Sequence, residues 1–216
     1  MRCLYCHNPD TWATNGGTKI TPQEVLRDFL KNKEFYIKGG ITVTGGEPLL
    51  QIDFVTELFK LFKANNIHTC LDTSGITFNE TGKEKFEQLL KYTDLVMLDI
   101  KHIDTHKHKT LTGHGNENVL SFAKFCEKQK VDLWIRYVVI EGYTDSPGDL
   151  FALGKFIGSL KNLKALDVIP YHTLGVTKYE QMGIEYPLKN IPALETKKAI
   201  LAKEDILKGI YTARNN

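Results

Sequence analysis

Cysteine, long apolar runs and any surplus of charge are all scarce in this sequence of 216 residues. Only four cysteines occur, Cys3, Cys6, Cys70 and Cys126, which argues against a disulfide framework in a chain of this size. No apolar run approaches the length of a membrane span, and no charged-then-apolar leader opens the sequence. A cytoplasmic setting with no membrane partner is therefore expected. Lysine and arginine number 28 against 26 aspartates and glutamates, and the cations are spread rather than massed. That balance excludes the basic footprint of a nucleic-acid partner. Repeats, low-complexity tracts and linkers are also missing, so residues 1–216 read as a single domain.

What is present is an alternation. Short β-rich runs come at Ile41–Thr44, Ile67–Leu71, Asp94–Leu98, Leu133–Ile140 and Ala165–Ile169. Stretches with helical spacing lie between them. Thr21-Pro22-Gln23-Glu24 is a capping box with proline at the first helical position, opening a helix that runs to about Lys33. Phe54, Leu58, Leu61 and Phe62 line one face of the next, and further helices are predicted at Lys83–Lys91, Asn116–Lys130, Pro147–Leu160 and Ala193–Lys208. Strand–helix repetition of this kind predicts an α/β fold with a parallel sheet, open or closed into part of a barrel. Cys70 and Cys126 sit in apolar segments and read as small buried hydrophobes. His102, His106, His108 and His114, scattered among lysines, read as a solvated face.

The unusual polar residues fall at the strand ends. Gly45-Gly46-Glu47-Pro48 follows the first strand and Asp72-Thr73-Ser74-Gly75 the second. Asp99 and Lys101 follow the third, Arg136 lies within the fourth, and Tyr171-His172 follows the fifth. In parallel α/β folds those ends share one rim, where ligand sites are built. Turn chemistry alone would account for any one of them, but it does poorly with four charged strand ends together. The Gly-Gly pair lets backbone approach a ligand closely, and Glu47 could accept bonds from an ammonium group.

Cys3-Leu4-Tyr5-Cys6-His7-Asn8 carries the strongest signal. Zinc could take Cys3, Cys6 and His7, a redox dithiol could use the cysteine pair, and an iron–sulfur cluster could use both thiolates with more ligands. Followed by Thr-Gly-Gly-Glu-Pro, Cys-Leu-Asp-Thr-Ser-Gly, Met-Leu-Asp-Ile-Lys, Trp-Ile-Arg-Tyr-Val-Val and Pro-Tyr-His, this motif resembles the radical S-adenosylmethionine (SAM) family of glycyl-radical activating enzymes. The likeness covers essentially the whole chain. It leaves no room for the ferredoxin-like insert that other activases carry between the cysteine motif and Gly-Gly-Glu. The family pattern is Cys-x3-Cys-x2-Cys, and Cys3 and Cys6 match its second and third cysteines. The first would fall two residues before Met1, so the resemblance implies a chain that is short at its N-terminus. It also implies a partial (β/α)6 TIM-like barrel whose first strand is missing.

By that resemblance, a [4Fe–4S] cluster on Cys3 and Cys6 would cleave SAM reductively. The resulting 5′-deoxyadenosyl radical would take hydrogen from a glycine of a glycyl-radical enzyme such as pyruvate formate-lyase. A flavodoxin or ferredoxin-like protein would donate the electron. Gly45, Gly46 and Glu47 would receive the methionyl amino group, and Tyr5, His7 and Asn8 the adenine and ribose. Asp99, Ile100 and Lys101 would line the middle of the cofactor, with Arg136 and His172 on the ribose and carboxylate side. Asp72, Thr73, Met97 and Asp99 match a monovalent-cation site. The competing expectation is a cluster-incompetent, non-catalytic relative that only binds SAM or the partner enzyme.

Overall fold

The computed structural model describes residues 1–13, 16–36 and 39–215. Among them five strands form one sheet: β1 (Gly40–Val43), β2 (His68–Thr73), β3 (Leu95–Asp99), β4 (Asp132–Val139) and β5 (Leu163–Pro170). They pair in that order, every pair parallel. The β1 and β5 edges do not meet, so the sheet is an open part of a β/α barrel. Each predicted strand is found within a few residues, and Asp72, Thr73 and Asp99 prove to be the last residues of their strands.

Helices α1 (Pro22–Lys31), α2 (Ile52–Ala64), α3 (Lys83–Leu90), α4 (Thr105–Thr112), α5 (Glu117–Lys128) and α6 (Pro147–Gly158) precede or connect the strands. Two more, α7 (Val176–Gln181) and α8 (Thr196–Arg214), follow β5. The capping box of α1 is formed: the Thr21 hydroxyl accepts the Glu24 N–H at 3.2 Å, and the Glu24 carboxylate accepts the Thr21 N–H at 2.8 Å. Val25, Leu26 and Phe29 of this helix then pack on Leu58, Phe62 and Ile67. Helices α6 and α8 meet backbone to backbone, because a Cβ on Gly154 would come 2.1 Å from the Ile206 carbonyl.

Strand alternation and register sort the side chains. Leu71, Val96 and Leu133 are paired across β2, β3 and β4, and all three are buried under the helices. On the opposite face Asp72 pairs with Met97, and two residues further along β3 Asp99 pairs with Arg136, which in turn pairs with Asp167 of β5. One face is therefore the hydrophobic core and the other carries charge.

The stretch from His102 to His114 corrects the expectation of a solvated face. It contains α4, capped by the Asp104 carboxylate on the Lys107 N–H at 2.8 Å and ended by Gly113 at φ 85°. His106 and His114 are exposed, whereas His102 and His108 are fully buried. Nδ1 of His108 lies 2.6 Å from the His114 carbonyl, so it carries the proton and donates, and burial lowers the pKa of both buried rings. Polar composition misled here because a neutral imidazole with one satisfied nitrogen is a tolerable core residue. Cys70 and Cys126 are buried as predicted. No helix of the described residues is long and apolar enough to cross a membrane.

Candidate functional site

The C-terminal ends of the strands and the N-terminal loop enclose a cavity of about 860 Å³. That volume lies in the range of small-molecule and cofactor sites. Cys3, Tyr5, Cys6, His7 and Asn8 line it from the loop, Gly45, Gly46 and Glu47 from the end of β1, and Asp72 and Thr73 from β2. Asp99, Lys101, Arg136 and His172 complete it. Sequence residues far apart thus converge on one rim.

Two residues assigned by resemblance do not line the cavity. Ile100 is fully buried among the core residues, because one step along the strand from Asp99 turns its side chain to the helix-facing side. Met97 shares the charged face but is half-buried one layer below. Conversely, Thr11, Trp12, Leu50 and Val138 line the cavity without having been singled out, joined by Ser74 from the polar strand end and by His114, read as solvated face. Val138 was legible in principle, two residues beyond Arg136 on the same face of β4.

The cysteine loop is a turn closed by the Cys6 N–H on the Cys3 carbonyl at 3.1 Å. Its first residues hang on the C-terminal end of α4, with Arg2 N–H on Thr112 O at 3.3 Å and Leu4 N–H on Leu111 O at 2.9 Å. Both thiols are half-buried. Burial pushes the Cys3 thiol up, while the Lys101 ammonium pulls against it. That ammonium sits 5.4 Å from the Tyr5 ring centroid. Burial lowers its pKa, but Asp99, Tyr5 and Cys3 outweigh it, so Lys101 stays charged. Cys3, Cys6 and His7 do not gather at zinc-binding geometry; among the described residues no three His, Cys, Asp or Glu side chains do. Instead His7 stacks on His172, ring centroids 4.1 Å apart.

Glu47, expected to accept bonds from an ammonium group, has both carboxylate oxygens engaged within the chain. One carboxylate oxygen accepts the Leu49 N–H at 3.2 Å and the Thr73 hydroxyl; the other accepts the Ser74 N–H at 3.1 Å and the Ser74 hydroxyl. Its side chain is a clamp between the β1 and β2 ends. Gly45, two residues before it, has φ 146° and open space where a Cβ would stand, so backbone faces the cavity there.

A charge ladder crosses the cavity floor. Arg136 donates through Nε to Asp99 at 3.0 Å, through Nη1 to Asp72 at 3.0 Å, and through Nη2 to the other Asp72 oxygen. Thr44 donates to Asp72 at 3.2 Å and Lys101 to Asp99 at 2.9 Å. Burial alone would raise the pKa of Asp99, but Lys101 and Arg136 hold it below the usual carboxylate value.

Three buried polar atoms at this site, the Tyr5 hydroxyl, His7 Nε2 and His172 Nδ1, have no partner within the protein. With Lys101 and the open Gly45 backbone they form a donor and acceptor set suited to a polar, charged small molecule. The thiols of Cys3 and Cys6 suit a soft metal centre such as iron–sulfur. They supply two of the three thiolates of the family pattern, since Cys70 and Cys126 are buried in β2 and α5, away from the cavity.

A family model described as the Radical SAM superfamily matches residues 1–153. A pyruvate formate-lyase-activating enzyme of Staphylococcus epidermidis is 47% identical over 196 residues, covering 88% of this chain and 78% of that protein. Its namesake in Staphylococcus aureus is 46% identical over 198 residues, covering 89% and 79%. A solved domain of a pyruvate-formate lyase-activating enzyme from Bacteroides vulgatus superposes with a TM-score of 0.64 at 22% identity, over 79% of this chain and 94% of that one. A radical SAM methyltransferase from Sphaerobacter thermophilus gives 0.66 at 14% identity, over 96% and 60%. These two structures share the fold.

Proposed function

The chain belongs to the radical SAM superfamily, among the pyruvate formate-lyase-activating enzymes, and from that premise we propose how its residues serve the activation of a glycyl-radical enzyme. When bound, a [4Fe–4S] cluster and SAM together supply one-electron cleavage of a carbon–sulfur bond and, through it, removal of hydrogen from a glycine of pyruvate formate-lyase. Cys3 and Cys6 hold the cluster as two of its thiolate ligands. The Gly45–Gly46 backbone takes the methionyl amino group, and Lys101 offsets the carboxylate charge. Tyr5, His7, Asn8 and His172 hold the adenosyl end. Arg136, Asp99 and Asp72 fix the cavity floor, and Glu47 acts through the clamp described above.

A monovalent cation would take its place on this floor at Asp72 and Asp99, the two carboxylates that Arg136 now pairs with. A flavodoxin or ferredoxin-like donor supplies the electron, and residues 1–216 act as one radical SAM domain in the cytoplasm.

The observation that carries this reading is the convergence of Cys3 and Cys6 with the Gly45–Gly46 turn and the charge ladder on one cavity. The test is anaerobic reconstitution with iron and sulfide of two proteins: the chain as given, and a form extended so that a cysteine stands four residues before Cys3. The extended form should bind about four irons and release 5′-deoxyadenosine from SAM under reduction, and the shorter form should do neither. An extended form that holds its cluster yet leaves SAM intact would sink the activase reading.

A further inference from the structure

The two halves of the cysteine loop are anchored differently. The half around Cys3 is tied by main-chain bonds to α4, from Arg2 and Leu4. Beyond Cys6 the main chain is bonded only locally among the described residues, in a 3-10 turn over Pro9–Trp12 entered by Thr11 N–H on Asn8 O at 3.0 Å. This half is held from outside by the segment after β5. Gly175 lies against His7, where a Cβ would stand 2.9 Å from the His7 Cα. Tyr179 meets the Trp12 ring edge-on at 5.8 Å. Lys178 on α7 donates to Asn8 Oδ1 at 2.7 Å and to Asp10 Oδ1 at 3.1 Å. Lys178 is thus a cation that ties two polar residues of this half, Asn8 and Asp10, to one helix.

We propose that Lys178 is a positioning residue: it latches the Cys6 half of the cysteine loop to α7 and sets the orientation of the Asn8 amide. The second consequence follows from chemistry. An ammonium has only donors, so Asn8 must offer it the carbonyl oxygen, which turns the amide's two N–H donors the other way. Asn8 lines the cavity, and acceptors such as ribose hydroxyls and adenine nitrogens are what those donors suit. The gain is preorganisation. A loop that carries thiolate ligands and an adenosyl contact must hold both in one geometry before either is engaged. The inference rests on the activase reading for its purpose, but the latch itself is a property of the cluster-free chain.

The test is therefore made on the cluster-free chain. Alkylation of each cysteine by iodoacetamide is followed by mass spectrometry in the wild type, Lys178→Met and Lys178→Arg. Cys70 and Cys126 serve as internal controls, being buried. Lys178→Met should raise the Cys6 rate about threefold to tenfold, the range for losing a partly exposed charged contact, and change Cys3 much less. Lys178→Arg should restore the wild-type rate. Molar salt should bring the wild type toward the Lys178→Met rate, because the pair is accessible to screening. An unchanged Cys6 rate in Lys178→Met overturns the proposal. So do equal rises at Cys3 and Cys6, exposure of Cys70 and Cys126, or failure of arginine to rescue. Failure of SAM cleavage would leave these rates untouched, so the latch and the activase reading fail separately.

Discussion

Replacing Glu47 by glutamine keeps the side chain's shape and removes its charge, which separates a clamp from an ammonium ligand. Four donors converge on the carboxylate: two main-chain N–H groups, from Leu49 and Ser74, and the hydroxyls of Thr73 and Ser74. The hydroxyls can rotate to accept a bond from an amide NH2. The main-chain donors cannot, so in either orientation of the glutamine one N–H faces another donor. Losing one hydrogen bond to a charged acceptor costs about 1.5–3 kcal/mol. In a chain of this length that corresponds to a fall in melting temperature of about 3–7 °C. Calorimetric or circular-dichroism melts of the ligand-free protein read it directly. Ser74→Ala with Glu47→Gln should fall short of additivity by about 1 kcal/mol, because the two share the same bonds. A Glu47→Gln protein that melts with the wild type would refute the clamp and return the carboxylate to the ligand.

Removing the guanidinium in Arg136→Met leaves Asp72 and Asp99 facing each other, with only Lys101 and Thr44 to compensate. A loss of about 3 kcal/mol is expected. Potassium or sodium chloride, but not choline chloride, should recover part of it by occupying the vacated carboxylates; equal recovery in choline would rule out the cation site. For pH, the rings of His102 and His108 have folded pKa values below the ordinary 6.5. A depressed histidine binds fewer protons folded than unfolded, so its stability is present above 6.5 and is lost as pH falls toward the folded value. Urea denaturation between pH 7 and 5 should show stability falling, by at most about 1.4 kcal/mol per pH unit for each ring. A His102→Gln, His108→Gln protein should flatten that slope, and an unflattened one would assign the pH response elsewhere.

By itself the sequence determined the local pieces and the kinds of chemistry. Thr21 and Glu24 are three apart, and that spacing suffices to close the capping box whatever surrounds it. Apolar runs set the strands, and the order of Cys-x2-Cys, Gly-Gly-Glu and Pro-Tyr-His carried the family. Even the missed α4 left signs, with Asp104 at its start and Gly113 at its end. Partnerships were another matter, because they depend on register. Asp72 and Arg136 stand on strands that are not neighbours and meet only because two parallel pairings, Asp72 with Met97 and Asp99 with Arg136, bring them to one face. The same closure of strand ends gives Thr73 and Ser74 to Glu47, and the return of the chain after β5 gives Lys178 to Asn8. A motif names a donor or an acceptor. Which of them is left free for a ligand was decided when tertiary packing chose which would satisfy each other.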